Sequence, residues 1–246
     1  MARFFVPRKN LHDNRGLIDG QELDHLKKAL RLGPGDRITV FDDGGWEHDA
    51  VIRELSVKQG EIEILRSYRA GRESPLRLIL AVGLTKGEKI DWVIEKATEL
   101  GAHKIVPFTS IFAVPRLDEK KIAARASRWE KIALSAVKQC GRTQLPEISP
   151  LCAFDDLVTG TWPETLKLLF WEKEAERSLH EVHAKLASAK SVLLAVGPEG
   201  GFAAQEVEAA QAQGFETVGL GRRTLRAETA AITALGLVQF LWGDLK

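Results

Sequence analysis

The residues best suited to chemistry sit in two glycine turns near the C-terminus, "VGPEGGF" (196–202) and "LGRRTLRAETA" (220–230). Each follows an apolar run and precedes a helix-like pattern. Glycines at the C-terminal end of a strand, just ahead of a helix, mark the place where open α/β sheets hold ligands. A nucleotide phosphate is the first ligand to consider, and two residues argue against it. Pro198 has no N–H to offer, and Glu199 adds negative charge where a diphosphate would lie. The spacing fits neither G-x-G-x-x-G nor a P-loop. The turn therefore suits a nucleoside-like ligand with no phosphate chain, and it tolerates a cationic one. Arg222, Arg223 and Arg226 crowd the second turn. Several guanidinium groups beside a small-molecule pocket read as a place for an anionic substrate.

Other chemistry-bearing types give less. His180 and His183 in "HEVH" stand at i, i+3, whereas a zinc H-E-x-x-H needs i, i+4, and no third ligand is evident. No metal is expected. Cys140 and Cys152 lack C-x-x-C spacing and suit a reduced, cytoplasmic protein. The tryptophans Trp92, Trp129 and Trp171 read as core residues rather than base-stacking platforms.

The elements that position the turns follow from periodicity. Ser191–Val196 is a continuous apolar run, as in a strand buried on both faces, and the helix from Ala203 stops at Gly214. Upstream, "LRLILAVGL", "KIVPFTS" and "TLKLLFWE" read as strands. Between and after them lie helices over "GEKIDWVIEKATELGA", 118–141 and 174–187; "FETVGLG" and a helix from about Glu228 close the chain. Strands alternating with helices predict a mostly parallel sheet covered on both faces. Before "AGRESP" (70–75) the pattern differs. Short strands, a hairpin turn at Asp43-Gly44-Gly45 and one helix capped by Asp19 predict a small β-barrel.

With 246 residues, 44% hydrophobic and 28% charged, the chain can build a sizeable core. A net charge of +1 neither demands nor excludes a nucleic-acid partner, so local clusters decide. Arg3, Arg8, Lys9 and Arg15 gather at one end; Lys120, Lys121, Arg125, Arg128, Lys131, Lys138 and Arg142 punctuate the long helix. "MARFFVPRKN" has no signal-peptide h-region, and Ala230–Trp242, the most apolar stretch, is short for a membrane span and contains Gln239. It reads as a buried or interface helix.

"GPEGGF" followed by "LGRRTLRAETA" resembles the two C-terminal motifs of the SPOUT methyltransferases, and most of all the bacterial family that methylates N3 of a uridine in 16S ribosomal RNA. "KGEKIDWVIEKATELGA", "RWEKIALSAVKQCGR", "LPEI" and "RFFV" extend the resemblance over nearly the whole chain. It implies an α/β protein with an N-terminal PUA-like β-barrel (1–71) and a C-terminal SPOUT domain (72–246) tied in a deep trefoil knot. It further implies a homodimer that binds S-adenosyl-L-methionine and acts on 16S rRNA within the 30S subunit. Carried over by position, Gly197, Glu199, Gly200, Gly201, Leu220, Gly221, Leu225, Arg226, Thr229 and Ala230 would bind the cofactor. Arg226 would polarise the uracil, with Glu228 orienting it or accepting a proton. Arg3, Arg8, Lys9, Lys86, Arg142 and Arg223 would contact RNA.

The chain departs from the family pattern at Ile111, where an arginine is usual, at Lys138, where glutamate is, and at Ala227, where threonine is common. Arg116 is a candidate replacement for the first. Two other readings stay open: a SPOUT enzyme acting on a ribose 2′-hydroxyl, and a non-catalytic RNA-binding or ribosome-assembly protein. A dinucleotide oxidoreductase ranks last, because Pro198 and Glu199 spoil its phosphate site.

Overall fold

The computed structural model describes residues 2–112, 119–163 and 165–246. The chain forms two compact units, one of residues 1–73 with 137–145 and one of residues 74–136 with 146–246.

The first unit holds β1 (Arg3–Phe5), β2 (Leu11–His12), β3 (Arg15–Asp19), α1 (Gly20–Asp24), β4 (Arg37–Phe41), β5 (Trp46–Leu55) and β6 (Gln59–Arg69). They form one mixed sheet in the order β1-β4-β5-β6-β3-β2, with β1 and β4 parallel and the rest antiparallel. The predicted hairpin turn joins β4 to β5, where the Asp42 carboxylate accepts from the N–H groups of Gly44 and Trp46, each at 2.9 Å. Phe4, Ile18, Leu26, Ile38, Ile52 and Ile62 make the core on one face. The expected helix after Asp19 is shorter and irregular. Asp19 occupies the cap position without a side-chain capping bond, and from His25 the chain widens to a π turn closed by Leu30 N–H on His25 O at 3.1 Å.

Val137–Leu145 belongs to this unit through polar contacts. The Arg3 guanidinium donates to Glu47 and to the carbonyls of Val137, Lys138, Gly141 and Arg142. Arg142 pairs with Glu73 at 2.8 Å, and Lys138 with both oxygens of Glu22 at 2.9 Å. Lys138 thus has an acidic partner of its own, which accounts for a lysine in place of the family's glutamate.

The second unit holds β7 (Arg77–Gly83), α2 (Lys89–Glu99), β8 (Lys104–Thr109), α3 (Glu119–Cys140, its last turn in the first unit), β9 (Glu147–Ile148), β10 (Cys152–Ala153) and α4 (Phe154–Thr159). There follow β11 (Leu166–Phe170), α5 (Leu179–Leu186), β12 (Ser191–Val196), α6 (Ala204–Ala212), β13 (Glu216–Val218) and α7 (Ala227–Trp242). The seven strands form an all-parallel sheet in the order β10-β8-β7-β12-β11-β13, with β9 on β8. Alternation explains the unbroken apolar runs. Leu78, Leu80, Val192 and Leu194 join the core beneath α2 and α7, while Ile79, Ala81, Leu193 and Ala195 join the core beneath α4 and α6.

Periodicity placed the start of α5 too early. The Glu174 carboxylate accepts from the N–H groups of Glu176 and Arg177 and from the Thr217 hydroxyl, folding 174–177 into a turn. Ser178 then caps α5 reciprocally with Glu181, a capping box readable as S-L-H-E. Trp129 is buried as expected, its indole donating to Asp91 at 3.0 Å, but Trp92 is 47% exposed. His183 packs edge-on against Trp242. Among the described residues no helix is long and apolar enough to cross a membrane.

Candidate active site

Strands β7, β11, β12 and β13 all end on the same edge of the sheet, and the turns that follow three of them enclose a cavity of about 380 Å³. One wall is the turn after β12, with Gly197, Pro198, Glu199, Gly200 and Gly201. The other is the segment after β13, with Leu220, Gly221, Arg223, Leu225 and Arg226, continued by Ala227 and Ala230 at the start of α7. Phe170, Trp171 and Glu172, at the end of β11, form the floor.

The glycines are required by contact as much as by conformation. A Cβ on Gly83, at the end of β7, would stand 2.4 Å from Pro198 N and 2.9 Å from Gly197 C. The turn therefore lies directly on β7, at a spacing that admits hydrogen only. Gly201, at φ +70°, is overlaid by the Glu172 carboxylate, 2.7 Å from where its Cβ would be. Gly200 packs against Phe112, and the neighbouring Ile111 donates its N–H to the buried Glu206 carboxylate at 2.9 Å. Glu206 also accepts from Ala203 N–H, so one side chain ties residue 111 to the start of α6. Ile111 itself is 53% exposed; Arg116, its candidate replacement, lies outside the described residues.

Glu199 is not a bare carboxylate. Its Oε1 accepts from Lys89 Nζ at 3.0 Å and from Lys86 N–H at 3.2 Å. Burial alone would raise its pKa. The hydrogen bonds from Lys89, its own amide and Lys86, with the Lys89 charge, outweigh that and hold it below the ordinary carboxylate range. Lys89 also lies 3.8 Å from Glu228 Oε2, within reach of charge attraction but too far for a hydrogen bond.

Eight of the nine residues expected only for the cofactor (Gly197, Glu199, Gly200, Gly201, Leu220, Gly221, Leu225 and Ala230) line the cavity, and so does Arg226. Thr229 does not: it is exposed on the outer side of α7. Glu228 does not line it either. Its Oε2 is buried, 3.8 Å from Lys89 Nζ, and has no hydrogen-bond donor among the described residues. Two expected RNA contacts also have other work. Arg3 is spent on Glu47 and four carbonyls, and Arg142 is buried against Glu73. Arg8, Lys9, Lys86 and Arg223 remain exposed.

Sequence reasoning passed over Lys89, Phe170 and Glu172 and read Trp171, which lines the cavity, as a core residue. Lys89 carried a signal. It is the first residue of α2, where the helix dipole disfavours a cation, so its position calls for anionic partners nearby.

The chain matches the model of the RNA methyltransferase domain over residues 72–239 and that of the RNA methyltransferase PUA domain over residues 18–65. It is 32% identical over 227 residues to ribosomal RNA small subunit methyltransferase E of Bacillus subtilis, covering 91% of this chain and 89% of that protein. Among solved structures it is similar to ribosomal RNA small subunit methyltransferase E of Neisseria gonorrhoeae bound to S-adenosyl methionine. There the TM-score is 0.91 at 32% identity, and both chains are covered in full. A Legionella pneumophila protein in complex with the same cofactor matches with a TM-score of 0.91 at 32% identity, over 99% of this chain and 98% of that one. An all-parallel sheet with a glycine-walled cavity at its edge, joined to a PUA-type unit, places this chain in the family of ribosomal RNA small subunit methyltransferase E.

Proposed function

We propose that the protein transfers a methyl group from S-adenosylmethionine to N3 of a uridine in 16S ribosomal RNA, acting in the bacterial cytoplasm as a homodimer on the assembled 30S subunit. The observation that carries the reading is the cavity between the two glycine turns. Its size suits a nucleoside, and glycine backbone, aliphatic and aromatic side chains line it together with a few charged groups. A side chain at Gly197 or Gly201 would fill it or displace its neighbours, as expected where a ligand lies against backbone. Gly197, Gly200, Gly201, Leu220, Leu225 and Ala230 would hold the adenosine.

When bound, S-adenosylmethionine supplies a methyl group activated by a sulfonium. The remaining work falls to the chain. Uridine N3 lies on the Watson–Crick edge and must be unpaired to enter. Arg226 and Arg223, exposed on the cavity wall, would donate to the uracil carbonyls and stabilise the N3 anion. The N3 proton goes to water. The nitrogen then takes the methyl group as the carbon–sulfur bond breaks, the bonding electron pair remaining on sulfur. Arg8, Lys9 and Lys86 would contact RNA backbone. Leu237 and Phe240, 40% and 62% exposed on α7, with Trp92 on α2, form the apolar face expected of a dimer interface.

The test is methyl transfer from labelled S-adenosylmethionine to unmodified 30S subunits, beside naked 16S rRNA, read by primer extension. One strong stop with label on 30S is expected, since an N3-methyl blocks pairing. Label without a stop would mean ribose methylation, and RNA binding without label would mean a non-catalytic protein.

A further inference from the structure

Four charged groups in or beside the cavity have no assigned part in the chemistry above: Glu172, over Gly201, and Lys89, Glu199 and Glu228. The last three come from three different elements and meet at one point. Lys89 Nζ lies 3.0 Å from Glu199 Oε1, in the turn after β12, and 3.8 Å from Glu228 Oε2, in the first turn of α7. The Glu228 oxygen is buried and has no hydrogen-bond donor among the described residues, so the lysine is the cation facing it. Lys89 itself opens α2, a position the helix dipole disfavours for a cation, and it lines the cavity wall.

We propose that Lys89 is a positioning residue that sets the charge of the cofactor pocket, cancelling enough of Glu199 and Glu228 that the pocket does not act as an anionic trap. The inference rests on the reading that the cavity holds S-adenosylmethionine. Methyl transfer turns a sulfonium cation into a neutral thioether. A carboxylate beside the sulfur, left without a counter-ion, stabilises the cation more than the transition state, in which the positive charge is already dispersing. Such a carboxylate tightens the reactant and slows the step. With Lys89 in place, Glu199 keeps its role as an acceptor that pins the turn through Lys86 N–H. Its field is meanwhile spent on the ammonium rather than on the ligand.

The sign of the effect separates this from a merely structural role. S-adenosylmethionine and S-adenosylhomocysteine differ by the methyl group and the charge, and calorimetry gives the affinity of each without turnover. In Lys89→Met the preference for S-adenosylmethionine over S-adenosylhomocysteine should rise about tenfold, the scale of one uncompensated charge at several ångströms in a partly solvated site. The single-turnover rate should fall by a similar factor with no rise in KM for the cofactor. Lys89→Arg should restore the wild-type ratio, and Lys89→Gln serves in place of the methionine variant should that one fail to fold. Affinities for both ligands falling together, with the ratio unchanged, would overturn the proposal. So would an arginine variant that behaves like methionine. A wild-type protein that binds neither ligand would instead overturn the methyltransferase reading, and the role given to Lys89 with it.

Discussion

Gly83→Ala should disable the pocket from a position that does not itself line it. The added Cβ would stand 2.4 Å from Pro198 N, 2.5 Å from Pro198 Cδ and 2.9 Å from Gly197 C. None of these atoms belongs to a flexible side chain. Two are backbone and one is a proline ring carbon, so relief requires the whole turn after β12 to retreat by roughly 1 Å to reach ordinary contact. Gly83 cannot yield either, because β7 is paired on both sides, with β8 and β12. Overpacking of this kind costs about 1–3 kcal/mol, which for a unit of this size lowers the melting temperature by roughly 3–10 °C. Displacing the turn by that distance should reduce methyl transfer about a hundredfold. Calorimetry with S-adenosylmethionine, single-turnover methyl transfer and a melting curve, run beside Gly33→Ala, make the test. Gly33 has open space around it and no positive φ, so its substitution should change nothing. A Gly83→Ala protein that melts and binds cofactor as the wild type does would refute the claim that contact with β7 holds the turn.

Further outcomes follow from the same geometry. Arg3→Ala leaves Glu47, 2% exposed, without its closest cation and with the half-exposed Arg72 in its place; it should destabilise the protein by about 3 kcal/mol in urea, while the salt dependence of RNA binding stays unchanged. Arg226→Ala should lower single-turnover methyl transfer at least tenfold with an unchanged melting temperature, because the side chain is exposed and makes no capping bond to α7. Phe240→Asp should shift sedimentation from dimer to monomer and weaken cofactor binding; loss of the dimer with undiminished affinity would contradict a site completed at the interface. The Glu199 carboxyl is held below its ordinary pKa, so its stabilisation is present above the ordinary carboxylate range and is lost as pH falls through the lowered value. Cofactor affinity, measured between pH 7 and pH 3 in wild type and Glu199→Gln, should fall on the acid side in the wild type alone.

Much of the site could be read from residue types and their order. Pro198 and Glu199 exclude a phosphate ligand, and the unbroken run Ser191–Val196 predicts a strand buried on both faces, which it is. What could not be read was pairing at a distance. Arg3 looks like any exposed arginine in "MARFF"; only the fold brings Glu47 and four carbonyls to it. Glu228 stands in a motif beside Arg226, yet only Arg226 of the two lines the cavity, while Glu228 Oε2 is buried beside Lys89. Trp92 and Trp129 are alike in sequence, yet the helix α2 leaves the first exposed while α3 buries the second, its indole on Asp91. A knot, which the family resemblance implies, is a property of the path of the whole chain, and no local pattern encodes it.

The contacts of Arg3 have a consequence for synthesis. The guanidinium of the third residue is satisfied by carbonyls that the ribosome reaches only at residues 137–142. Between them lies most of the first half of the other unit, which must be made while Arg3 has Glu47 but none of its carbonyl acceptors. At about 5–20 residues per second, the delay between completing residue 73 and supplying residue 142 is roughly 3–14 s. For that interval the N-terminal unit is an open sheet with Glu47 facing an unfinished pocket, and its final stability arrives in one step, with the segment "VKQCGRTQL".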